Sequence, residues 1–73
     1  MTNTVLLEGL IKESGLKKKF IASRLGITPY SLAKKIKNET AFTSREIQIL
    51  CELLGVTSLK LKEDIFFAKV VDF

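Results

Sequence analysis

Seven basic side chains, Lys17, Lys18, Lys19, Arg24, Lys34, Lys35 and Lys37, fall within 21 consecutive residues that contain no acid. The chemistry open to such a block is ion pairing and hydrogen bonding with a polyanion, either nucleic-acid phosphates or an anionic membrane surface. The rest of the 73-residue chain carries five basic and eight acidic groups, so the whole net charge of +4 arises in this one segment. A solvated lysine-rich face is the plainer use of the same charges, and the charge run alone does not separate the two. Other chemistries lack their parts. Histidine is absent and Cys51 is the one cysteine, which removes the usual zinc ligand sets and the Ser-His-Asp and Cys-His arrangements. No Gly-rich phosphate loop follows a strand pattern. The expectation is a protein that is not an enzyme and that uses no cofactor and no metal.

Charges of this kind act only if a scaffold holds them in register, and the apolar spacing predicts one made entirely of helices. Leu6, Leu7, Leu10 and Ile11 define a helix over about 3–14, with Thr2 or Asn3 to cap it and Gly15 to end it. A second helix over about 17–25 carries Phe20, Ile21 and Leu25 as its apolar stripe, with Ala22 beside them, and stops at Gly26. Thr28 caps a third, with Pro29 at the first helical position where a missing N–H costs nothing. Leu32 and Ile36 face inward, and this helix ends near Lys37 or Asn38. Thr43 and Glu46 match a capping box for a fourth helix over about 44–54, with Ile47, Leu50, Cys51 and Leu54 on one face and Phe42 as an apolar staple. Thr57 or Ser58 caps a short fifth helix to about Phe67. Glu63 and Asp64 read as exposed or capping charges, and Cys51 as a small buried apolar residue.

The second and third helices are separated by only Gly26, Ile27 and Thr28. Packing two helices across so short a turn needs a small residue at their approach, which is Ala22. It also needs a residue that accepts positive φ, which is Gly26, and an apolar plug, which is Ile27. These are the requirements of a helix-turn-helix over about 17–37. The run Ile21-Ala22-Ser23-Arg24-Leu25-Gly26-Ile27-Thr28-Pro29-Tyr30-Ser31-Leu32 resembles the phage-repressor-like (Cro-type) helix-turn-helix DNA-binding family. That family shows Leu-Ala-x-x-Leu-Gly-Val-Ser-x-x-Thr-Ile in these places. The stretch Phe42-Thr43-Ser44-Arg45-Glu46-Ile47 through Leu53-Leu54-Gly55-Val56 is similar to its next helix and exit turn. The resemblance covers about 6–59 and implies a compact four- to five-helix, lambda-repressor-like domain. Lys35 departs from the pattern, standing where the family places an apolar residue. Either the third helix rotates slightly, or the aliphatic stem of Lys35 lies along the core edge.

The resemblance implies that the third helix enters the major groove of double-stranded DNA. Pro29, Tyr30 and Lys34 then take the positions facing base edges, and Lys17, Lys18, Thr28 and Lys37 those meeting phosphates. Lys34 can donate to O6 and N7 of guanine, whereas Pro29 offers only shape. The plainer alternative for Tyr30 is a ring folded over its own helix.

The chain has room for one domain, 1–73, with a tail over about 68–73. The apolar end leaves two readings open. Either Phe66 or Phe67 folds back to complete a thin core, or Phe66, Phe67, Val70, Val71 and Phe73 contact a second copy. Family members commonly bind paired half-sites as symmetric dimers, which implies a homodimer on DNA. No apolar stretch is long enough to cross a bilayer, and Met1–Leu10 lacks the pattern of a signal peptide. A cytoplasmic location is expected, with no membrane partner and no small-molecule effector. The resulting expectation is a sequence-specific transcriptional regulator of phage or mobile-element type. The competing reading is a protein-interaction module, an antirepressor or modulator on the same fold.

Overall fold

A computed structural model describes residues 1–67 as five helices: α1 (Thr4–Ser14), α2 (Lys18–Leu25), α3 (Pro29–Ile36), α4 (Ser44–Leu54) and α5 (Leu59–Phe66). The described residues contain no strand, and the domain is all-α as the periodicity predicts. Residues 68–73 lie outside the described residues.

Four of the five helices begin at a side-chain cap, and α2 starts without one. The Asn3 side chain accepts from Leu6 N–H at 3.1 Å, Thr28 from Ser31 N–H at 3.1 Å and Ser58 from Leu61 N–H at 3.3 Å. Thr43 and Glu46 form the full capping box, each side chain accepting from the other residue's backbone N–H. Such caps satisfy donors that have no partner inside a helix. Gly26 ends α2 at φ 75°, which allows Ile27 N–H to reach back to the Ala22 carbonyl at 3.0 Å. A side chain at that φ would be strained.

The apolar stripes meet in one core: Leu7 and Ile11 of α1, Ile21, Ala22 and Leu25 of α2, Leu32 and Ile36 of α3, Ile47, Leu50 and Cys51 of α4, and Ile65 and Phe66 of α5. The α2 helix packs on both α3 and α4, while α1 touches α3, α4 and α5. Phe42 joins this core, and its ring meets Phe66 edge-on with centroids 5.6 Å apart.

Two sequence expectations change here. Phe20 was expected in the apolar stripe of α2 but is 44% exposed. Ile21, Ala22 and Leu25 define the buried face, and one residue along a helix turns the side chain by roughly 100°. Phe20 is therefore carried to the outer side. Of the two readings for Phe66, the fold takes the core one. It is 4% exposed, which removes it from the candidate dimer contacts, whereas Phe67 is 56% exposed.

The chain also has a tie that its local pattern did not announce. Residues Met1–Asn3 lie as a strap between the end of α3 and α5. Asn3 N–H donates to the Ile65 carbonyl at 2.6 Å, and the Asn38 amide clasps Thr2 from both sides. The Thr4 hydroxyl donates to the Ile36 carbonyl. The strap fixes the far end of α3 to two other helices.

Candidate nucleic-acid interface

The α3 helix has two chemically different sides. Leu32 and Ile36 are fully buried against α1, α2 and their neighbours. Tyr30 and Lys34, one turn apart, lie on the opposite side, with Tyr30 73% exposed. The Lys34 ammonium stands 5.5 Å from the centre of the Tyr30 ring. A cation over an aromatic face restrains both side chains without a hydrogen bond, so each keeps its polar groups for a partner. The Tyr30 ring is therefore exposed while lying beside Lys34 of its own helix.

Pro29 is exposed at the first position of α3. It lies five residues before Lys34, roughly 140° away around the helix axis. It does not share the Tyr30–Lys34 face, and the fold divides the three expected base-facing residues into a pair and an outlier.

The residues expected at phosphates are all at the surface. Lys17, exposed, is the N-cap of α2 and makes no side-chain capping bond. Lys37 is exposed at the end of α3. The Thr28 oxygen accepts from Ser31 N–H, which leaves its hydroxyl proton available to an acceptor outside. Lys18 is already engaged: its ammonium lies 2.9 Å from Glu8 Oε1 on α1.

Lys35 is a polar residue at a position where the resemblance implied an apolar one, and it turns towards the protein. Its side chain is only 15% exposed. Its ammonium, missed by sequence reasoning, turns to Glu46 Oε1 at 2.9 Å and the Ala41 carbonyl at 2.9 Å. It also stands 6.0 Å from the Phe42 ring centre. Lys35 thus faces the protein and leaves the outer surface of α3 to Lys34. Burial on its own would raise the Glu46 carboxyl, but the Thr43 N–H and the Lys35 ammonium outweigh it and hold the carboxyl below its usual range. Among the described residues, five cations of the basic block have no carboxylate partner: Lys17, Lys19, Arg24, Lys34 and Lys37.

Arg45 was also missed. From the first turn of α4 it donates to the Leu25 carbonyl at 3.3 Å, placing a positive charge on the negative end of α2. Its signal was positional only, a basic residue beside a cap.

Away from this surface, Cys51 is buried, and burial pushes its thiol above the usual value although Lys62 pulls the other way. Among the described residues no cluster of three or more His, Cys, Asp or Glu could hold a metal ion, and no helix is long and apolar enough to cross a membrane. Phe67 is the one expected dimer contact that remains exposed among the described residues; Val70, Val71 and Phe73 lie outside them. Comparison with protein-family models, with curated proteins and with solved structures returns no match to this chain.

Proposed function

We propose that this protein is a non-enzymatic, sequence-specific DNA-binding regulator of the phage-repressor-like (Cro-type) kind. It acts in the cytoplasm by occupying an operator with α3 in the major groove. The observation that carries the reading is the pairing of Tyr30 and Lys34 on the side of α3 opposite Leu32 and Ile36. A helix held by its buried side, with a donor-bearing outer face amid unpaired cations, matches what direct readout of base edges requires. Lys34 donates to guanine, Tyr30 meets a base edge or a thymine methyl, and Lys17, Thr28 and Lys37 set the register on phosphates. A single module of this size makes few phosphate contacts, which favours two copies on a two-fold-symmetric site.

The test is selection of bound fragments from random duplex DNA, followed by affinity measurements on the recovered site. A recurring palindromic motif is expected. Lys34→Ala should weaken binding to that site by about 1–3 kcal/mol and relax preference at one base pair. If about four unpaired cations per protomer meet phosphates, log affinity should fall against log salt with a slope near −3.6 per protomer. No enrichment of any duplex, or affinity indifferent to salt, would overturn the reading.

A second reading, a protein-interaction module, draws on Leu59 and Phe67, 70% and 56% exposed on and just after α5. It predicts that Lys34→Ala leaves biological activity intact.

A further inference from the structure

We infer that Glu8 sets the DNA affinity of this protein by holding Lys18 back from the phosphate backbone, a contact that must open for the full interface to form. The inference rests on the DNA-binding reading above and deepens it.

The basic block contains no acid of its own, yet the fold brings two to it, Glu46 to Lys35 at the core edge and Glu8 to Lys18 at the surface. Glu8 belongs to α1, and its two carboxylate oxygens lie 2.9 and 3.0 Å from the Lys18 ammonium at the first residue of α2. The start of α2 is otherwise uncompensated. Lys17 supplies no side-chain cap and the first turn has no acid, while three successive lysines add their charge to the positive end of a helix dipole. A carboxylate placed there does for the free protein what a phosphate oxygen does in a complex. The two acceptors compete for one ammonium.

Exposure decides how firmly the carboxylate competes. The Lys18 and Glu8 side chains are 48% and 41% exposed, so the pair is screened and exchanges with solvent. Exposed pairs of this sort are favoured by about five-fold or less. Glu8 therefore attenuates the Lys18 contact without abolishing it. Glu8 touches no DNA in this account; it is a positioning residue acting through Lys18.

The experiment compares the wild-type chain, Glu8→Gln, Lys18→Ala and the double variant on one short duplex, by fluorescence anisotropy across a salt series. Glutamine keeps the size and helix preference of glutamate, and thermal melts check that each variant is folded. Glu8→Gln should bind about three- to five-fold tighter at low salt, with a salt slope steeper by up to about 0.9 as Lys18 takes up its phosphate. Lys18→Ala should cost little in the wild-type background and should erase the whole gain in the Glu8→Gln background. A purely structural role for the pair would move the melting temperature and leave the slope alone. If Glu8→Gln matches wild type in affinity and slope while Lys34→Ala still weakens binding, the inference falls and the DNA-binding reading stands. If no variant binds duplex, both fall.

Discussion

Replacing Glu46 with alanine is expected to destabilise the domain by about 3–5 kcal/mol, the range for removing one partner of a buried ion pair. The side chains of Lys35 and Glu46 are only 15% and 8% exposed, with nitrogen and oxygen 2.9 Å apart. The same Glu46 oxygen accepts from Thr43 N–H at 2.9 Å, so the substitution also opens the capping box of α4. What remains is an ammonium at the core edge with only the Ala41 carbonyl and the Phe42 ring for company. Small domains hold about 5 kcal/mol or little more in total, and this variant should be largely unfolded in mild urea.

Glu46→Gln separates the two roles, since its amide oxygen can still accept from Thr43 N–H. Combined with Lys35→Leu, which supplies the apolar residue the family pattern places there, it should recover most of the lost stability, because neither charge is then stranded. Acid should act in the same direction as the alanine substitution. The Glu46 carboxyl is held below its usual 4.5 in the folded state. Its contribution is therefore complete above that value and is lost as pH falls through the lower folded one. Urea denaturation of the wild type and the three variants at neutral and acid pH measures both effects. A cost below about 1 kcal/mol for Glu46→Ala would mean that the pair behaves as a solvated surface contact.

This pair also marks where the sequence stops being legible. Thr43 and Glu46 announce their capping box because its chemistry spans three residues along the chain. The same holds for the Thr28–Pro29 start of α3 and the glycine stops at Gly15, Gly26 and Gly55. Lys35 showed only as a polar residue in an apolar place. Its partner lies eleven residues on, across a packing interface that periodicity does not describe. Phe20 misled for a related reason. Aromatic character suggests burial, but Ile21, Ala22 and Leu25 already fill the inner face of α2, and position around the axis decides. Among the candidate site residues, Tyr30 and Lys34 were legible as a one-turn pair. The placement of Pro29 away from them follows from the same geometry. The engagement of Lys18 by Glu8 was not legible, since it depends on how α1 crosses the start of α2.

Asn38 is the other residue whose importance depends on the assembled fold, and Asn38→Ala is expected to cost about 2–3 kcal/mol. Asn38 sits at φ 67°, the one non-glycine residue among the described residues with positive φ. There it ends α3 in a Schellman-type turn: Glu39 N–H reaches the Lys34 carbonyl at 2.9 Å and Asn38 N–H the Lys35 carbonyl at 3.2 Å. Asparagine tolerates this region because its side chain bonds locally, whereas alanine there is strained by roughly 1–2 kcal/mol. The amide does further work at a distance, accepting from Thr2 N–H at 2.7 Å and donating to the Thr2 carbonyl at 2.6 Å. Thr2 is 7% exposed, so losing the clasp leaves partly buried backbone groups short of partners, at about 1 kcal/mol or so in all.

Asn38→Gly divides the two terms, since glycine removes the strain but not the lost clasp. It should recover about half of the loss. Asn38→Asp keeps the acceptor for Thr2 N–H yet turns a carboxylate oxygen on the Thr2 carbonyl, and should fall nearer alanine. Hydrogen exchange at Thr2 reports on the clasp directly: its amide should exchange much faster in Asn38→Ala and Asn38→Gly, ahead of global unfolding. The consequence for function follows from position. Lys37 stands beside Asn38, and Lys34 supplies one of the carbonyls that the turn ties down. On the DNA-binding function proposed above, a loosened strap should therefore lower DNA affinity in Asn38→Gly even under conditions where that variant is fully folded. Unchanged exchange at Thr2 would show that Met1–Asn3 rests on α5 through the Ile65 and Phe66 carbonyls, with Asn38 serving only its own helix end.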